Sequence, residues 1–285
     1  MGVNNTNRRG GTGGGDGVFT VDLPVSLTGG KTLGRYANGQ TIPAIGKTAQ
    51  QVLLDIAAEY LPPAFSAFSM SGQATAVEVG TVITGAKNFA WSISNGANVQ
   101  PNTIKITDVT NNSDLVTGLA NDGSESVNVG SISKSTLATH SWRASGNNTN
   151  TQAFNSNNFT VEWQFRRYIG ISNNAVLTEA DIEALAFNTI GNTKNGTYAL
   201  AAGGYKYLCW PDSYGSPTAS TGIRDTATGF PVAMADSSDN AFFSNTQNGW
   251  SYGLVAITNA LGVTTNYRVY RSKNILGGSI NIQIS

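Results

Sequence analysis

Cysteine and histidine are almost absent from this chain: Cys209 and His140 stand alone among 285 residues. A single cysteine cannot close an intramolecular disulfide, and one cysteine with one histidine cannot build a zinc cluster. Charge is scarce as well. Asp, Glu, Lys and Arg make up 12% of the chain, and the 17 basic residues balance the 17 acidic ones. A protein that depends on phosphate contacts carries a basic surplus, so general nucleic-acid binding is not expected. No apolar run approaches the ~18 residues needed to span a bilayer. The opening MGVNNTNRRGGTGGGDG lacks the apolar stretch of a secretory signal. A soluble product is therefore expected, stabilised by packing, by strand ladders or by neighbouring subunits.

Glycine (33 residues), asparagine, serine and threonine take the place of the missing charge. They favour turns and solvated strand faces over long surface helices. The expected fold is mainly β, with two short helices and many loops. Residues 1–17 read as a flexible Gly-rich tail. In residues 18–65, VFTVDLPVSL is a short strand broken by Pro24. A helix is predicted over 49–61, with Thr48 and Gln51 as a capping box and Pro62 and Pro63 as the stop. Val52, Leu53, Ile56, Ala57 and Tyr60 would form its packed face.

From 66 to 168 the apolar pattern has period two, in segments such as KNFAWSISN, NTIKITDV and NFTVEWQFRRY separated by NG, NN and NDGS turns. That spacing predicts an antiparallel sandwich of immunoglobulin-like type, with Trp91, Trp142 and Trp163 in its core. A second helix is expected over 177–191, capped by Thr178 and Asp181 and ended by Gly191. Residues 169–285 otherwise return to strands, including YKYLCWPD, GFPVAMA, WSYGLVAITN and SINIQIS, and form a C-terminal β domain with surface loops at 211–229 and 235–249.

The stretch GGKTLGRYANGQTIPAIGKT, residues 29–48, contains Gly-Lys-Thr twice. A phosphate-cradling loop needs a further glycine five residues before the Gly of that tripeptide, and those positions hold Val25 and Thr41. No nucleotide site and no cofactor are expected. His140 lies in a predicted strand without a nucleophile motif and reads as structural; Cys209 beside Trp210 reads as a buried apolar residue. Asp212, Asp225, Asp236 and Asp239 fall in predicted loops, and DSSDN at 236–240 lacks the glycine and closing Glu of a calcium loop. No catalytic or metal-ligating residue is assigned. Aromatics gather near the polar C-terminal loops, where aromatic faces beside amides could stack on sugars. Tyr214, Phe242 and Trp250 are the residues expected to be exposed there and to contact glycan or host.

The run GGKTLGRYANGQTIPAIGKTAQQVLLDIAAEYLPPAFSAFSM, followed by VEVGTVITGAKNFAWSIS, resembles a module of virion structural proteins from phages infecting Bacteroidetes. There a similar segment leads into a helix and then an immunoglobulin-like domain. LANDGS, HSWRASGNNT and FTVEWQFRRYIG continue the likeness. The C-terminal YKYLCWPDSYGSPT and YRVYRS resemble the distal domain of such fibre and spike proteins. The likeness covers roughly residues 28–285 and implies a structural or host-attachment role in the virion, assembled in the host cytoplasm, with no catalytic residues. Residues 18–65 would anchor on other capsid, vertex or tail proteins, 66–168 would act as a spacer, and 169–285 would be distal. Scarce charge and absent disulfides fit a homo-oligomer, a trimer for a fibre or a pentamer for a vertex protein. Two other readings stay open: a bacterial surface adhesin or carbohydrate-binding module, and a spike with glycan depolymerase activity.

Overall fold

Alternating apolar residues along Phe65–Tyr168 fix the inner faces of two sheets. A computed structural model describes residues 17–26, 32–33, 36–37, 39–57 and 60–285. Most of the expected Gly-rich tail, and Gly30 and Lys31 of the first Gly-Lys-Thr, lie outside them. The architecture is mainly β, in several sheets without a closed barrel.

The N-terminal segment holds β1 (Leu23–Pro24), β2 (Thr32–Leu33), β3 (Tyr36–Ala37), β4 (Thr41–Ile42) and α1 (Ala49–Ala57). Pro24 lies within β1, opposite Thr41 of β4. Thr48 caps α1 as the sequence predicts: Gln51 N donates to Thr48 Oγ1 at 3.3 Å, and Thr48 N donates to Gln51 Oε1 at 2.8 Å. The helix is described only to Ala57, and Tyr60 and Leu61 are not helical. Its packed face is narrower than expected. Val52 is buried and Ile56 packs beside it in a small core with Val25, Tyr36, Ile42 and Ala44. Leu53, assigned by periodicity to that face, is exposed, as is Ala57. One side of this small unit is too little to cover both stripes of the helix.

Residues 64–172 supply β5 (Ala64–Met70), β6 (Ala76–Glu78), β7 (Ile83–Ser94), β8 (Ile104–Asp108), β9 (Ser113–Leu119), β10 (Gly123–Ile132), β11 (Ala138–Asn147), β12 (Ala153–Asn155) and β13 (Phe159–Ser172). The sheet β10-β7-β5 faces the run β9-β8-β11-β13 of a larger, eleven-stranded sheet, with β6 joining β13 in parallel. Between them lies one core that includes Phe89, Trp91, Ile106, Trp142, Val161 and Trp163. All three expected core tryptophans are there. Each Trp142 and Trp163 side chain is no more than 1% exposed, enough burial to stabilise by roughly 3 kcal/mol apiece before entropy is counted. VEVGTVITG, expected as one strand separate from KNFAWSISN, is split: its start belongs to β6 and its end runs on with KNFAWSISN in β7, whose ladder with β10 shifts register between Asn128 and Ser131.

The C-terminal region contains α2 (Glu179–Glu183), β14 (Phe187–Gly191), β15 (Gly196–Leu200), β16 (Tyr205–Pro211), β17 (Ile223–Asp225), β18 (Asn245–Gln247), β19 (Trp250–Thr258), β20 (Thr264–Arg271) and β21 (Ile280–Ile284). Here the expected second helix is corrected. Its capping box at Thr178 and Asp181 forms, but the helix stops at Glu183 and residues 187–191 pair with β13 instead. The free edge of a long strand outcompetes the weak helical preference of Phe-Asn-Thr-Ile. Gly191 is therefore no helix cap. A side chain there would meet the Arg167 guanidinium at 2.7 Å, so glycine lets Arg167 cross. GFPVAMA, expected as a strand, makes only isolated bridges at Pro231 and Met234.

β13 connects the two halves. Phe159–Trp163 pairs with β11, and Tyr168–Ser172 pairs with β16, so one continuous strand runs through position 168. The big sheet continues as β16-β20-β19-β18. On one side it packs against the sheet β15-β21-β17 around Trp210 and Tyr270; on the other, α2 covers Tyr207, Cys209 and Val269. Burial on both faces explains why YKYLCWP reads as a continuous apolar run with little alternation.

Candidate functional site

Polar loops at one end of the C-terminal sheet enclose a cavity of about 570 Å3. Its apolar wall comes from Val232, Met234 and Trp250, and Ser220, Asp236 and Asn248 are among its polar residues. Trp250 is set by a tight hairpin: Gln247 pairs with Trp250, and the two residues between them, Asn248 and Gly249, have φ of 56° and 81°. Asn-Gly is the pair that tolerates two consecutive left-handed positions, as a type I′ turn requires. The hairpin then clasps the neighbouring loop. Trp250 Nε1 donates to Thr218 O at 2.9 Å, and Asn248 Nδ2 donates to Pro217 O at 3.1 Å.

The three residues expected to meet glycan do not form one surface. Trp250 is 7% exposed, so the expectation that it stands free in a loop is corrected: it is the first residue of β19 and its indole packs in the core, with part of it lining the cavity. Tyr214 is half-buried between the lobes. Its hydroxyl donates to Gly191 O and accepts from Phe165 N, and burial raises its pKa. Phe242 is half-buried too; its ring lies over Gly253 of β19 and meets Phe243 edge-on, with centroids 5.0 Å apart. Of the three, only Trp250 lines the cavity, and Met234, Asp236 and Asn248 were not singled out with it. Only the placing of Asp236 beside an aromatic-rich loop could have signalled the grouping in sequence.

The remaining candidates are accounted for by packing and pairing. His140 is 1% exposed, with Nε2 2.9 Å from Asp108 Oδ2. Asp108 is held in turn by Asn111, and among the described residues no Ser or Cys hydroxyl or thiol is hydrogen-bonded to His140. Cys209 is fully buried, which pushes its thiol well above the ordinary range. Asp212 binds Arg268 Nε at 2.6 Å, and Asp225 ends β17 instead of lying in a loop. In DSSDN, Asp236 Oδ1 accepts from Ser238 N at 2.8 Å, and Lys273 lies 3.2 Å from Asp239. Among the described residues no three His, Cys, Asp or Glu side chains gather as metal ligands would.

In the second Gly-Lys-Thr, the amides that would face a phosphate are already bonded. Gly46 N donates to Phe19 O, Lys47 N to Ala44 O and Thr48 N to the Gln51 side chain, and Lys47 Nζ is 2.5 Å from Asp55.

The N-terminal segment presents a different kind of surface. Val18, Val21, Ile45, Leu53, Leu54 and Leu61 are 49–64% exposed, and among the described residues the segment's own core has five buried apolar residues. Among the described residues its polar links to the sandwich include Gln40 Nε2 to Thr149 O at 2.9 Å and to Asn150 Oδ1 at 2.8 Å, with Asn98 Nδ2 reaching Leu61 O at 2.8 Å and Asn95 Nδ2 reaching Pro62 O at 3.0 Å. Comparison of the chain with family models, curated proteins and solved structures finds no match.

Proposed function

We propose that this chain is a non-enzymatic structural component of a phage virion, a spike, head fibre or tail fibre, anchored by its N-terminal segment and presenting its C-terminal lobe to the host. The observation that carries the reading is the concentration of exposed aliphatic side chains on residues 18–61, with Leu53 and Leu54 each 64% exposed. An isolated soluble domain rarely leaves so many apolar side chains uncovered in so short a stretch, and a docking segment must. The second Gly-Lys-Thr belongs to this segment, and its Thr48 caps α1. The partners in this reading are other virion proteins and further copies of the chain.

The first sandwich fits the spacer in the same reading. Its pairing order, β5-β7-β10 facing β9-β8-β11-β13, supports an immunoglobulin-like reading of this sandwich. The shared strand β13 would transmit its orientation to the distal lobe.

The test replaces Leu53 and Leu54 with Asp together and follows incorporation into particles. Both side chains point away from the chain's own core, so the variant should fold with an unchanged melting temperature and be missing from purified particles. Normal incorporation of the folded double variant would overturn the anchoring role.

A further inference from the structure

The outer face of the first sandwich carries a groove that neither anchoring nor spacing uses. Alternation along β11 sends Trp142 and Ala144 into the core and turns Arg143 and Ser145 the other way. Pairing then builds two cross-strand rows. Asp114, Thr107 and Arg143 lie side by side on β9, β8 and β11, and Lys105, Ser145 and Asn155 do so on β8, β11 and β12. Lys105, Asp114, Thr117, Arg143, Ser145 and Asn155 are among the residues lining a cavity of about 540 Å3.

Its charges are unevenly satisfied. Both carboxylate oxygens of Asp114 are engaged, one by Lys105 Nζ at 2.8 Å and the other by Thr107 Oγ1 at 2.7 Å. Those bonds leave Arg143 without a carboxylate. Its guanidinium makes no hydrogen bond among the described residues, and Nε is sealed from solvent without an acceptor. The buried Nε cannot reach a ligand, so the outer Nη pair is the free end, and a planar carboxylate matches that pair with two parallel bonds. Ser145 is only 8% exposed, and among the described residues neither its hydroxyl nor the Asn155 amide has a side-chain hydrogen bond. Lys105 is paired with Asp114, so Arg143 is the groove's one cation without a carboxylate among the described residues, and hydroxyls and amides around it suit a ligand rich in hydroxyls and carrying one negative charge. No aromatic side chain lines the groove, which argues against a stacked base. The volume falls in the ordinary range for small-ligand sites, ~300–1,000 Å3.

We infer that this groove binds a carboxylate-bearing saccharide, with the carboxylate on Arg143 and sugar hydroxyls on Ser145, Thr117 and Asn155. The site lies on the sandwich, away from the C-terminal cavity, and makes that lobe a second binding module. It does not depend on the particle location proposed above.

The test is calorimetric titration of the full chain with a glucuronic-acid disaccharide, its neutral glucose counterpart and inorganic phosphate. The expected result is saturable binding of the acidic sugar, weakened about tenfold or more when the sugar is neutral and again in Arg143→Gln. Asn155→Asp, at an exposed position, supplies a second variant that should fold and should weaken the acidic sugar by repulsion. Undiminished affinity in Arg143→Gln or Asn155→Asp would overturn the assignment. So would equal affinity for the neutral sugar, phosphate binding as tightly as the disaccharide, or no saturable binding at millimolar ligand.

Discussion

Trp250 shows how burial redefines a residue. An aromatic beside a polar loop looks like a stacking platform, yet its indole belongs to one core with Tyr198, Ile223 and Val232 and donates to Thr218 O. Trp250→Ala should therefore cost about 3–5 kcal/mol of folding stability, read from denaturant melts, and should collapse the cavity wall. A variant as stable as the parent would contradict that placement. Cys209 gives a second residue-level prediction. Its thiol is buried and held protonated, so labelling by a thiol reagent should proceed only at the rate of global unfolding. Rapid labelling of the native protein would contradict it. Asp114 adds a pH effect. Its hydrogen bond from Lys105, then that from Thr107, holds its pKa below the usual value. A depressed folded pKa means a contribution that is present above about pH 4 and lost as pH falls through the folded value. Asp114→Asn should flatten the acid limb of stability by a small amount, since the side chain is 38% exposed.

At the scale of elements, legibility followed locality. Helix caps, the Asn-Gly hairpin and the period-two strands depend on residues a few positions apart, and they were readable. Thr48 and Thr178 both form the boxes their neighbours announced. Thr48→Ala should remove about 1 kcal/mol from α1, seen as faster amide exchange confined to that helix. What was not legible depended on distant partners. Phe187–Gly191 becomes a strand because β13 offers an edge, and GFPVAMA meets its neighbours only through isolated bridges to Arg224 and Ser272. The groove beside Arg143 is likewise invisible in sequence. Its residues come from β8, β9, β11 and β12, and only pairing brings Asn155 alongside Ser145. The charge imbalance at Arg143 cannot be seen until Asp114 is known to be occupied.

For the whole molecule, the deciding feature is β13. A boundary at 168 is natural by composition, but the strand crosses it without a break. Side chains reinforce the junction: Tyr267 Oη donates to Arg166 O at 3.0 Å, and Asn259 Nδ2 donates to Val79 O at 2.9 Å. Residues 64–285 should therefore unfold in one calorimetric transition, with the N-terminal segment melting separately because it has a small core of its own. Two transitions within 64–285 would show that the lobes are independent. In the proposed function this arrangement would serve as a rigid projection, with the exposed aliphatics of the N-terminal segment docking on a partner surface. The central claim is accordingly one of place. Electron microscopy of intact particles, with the chain labelled at either end, tests it most directly. The account predicts that the label after Ser285 projects outward, and that the N-terminal label lies against the particle with residues 18–61 covered by a neighbouring protein. Absence of the chain from purified particles, or a C-terminal lobe buried against the particle with the N-terminal segment outermost, would contradict it.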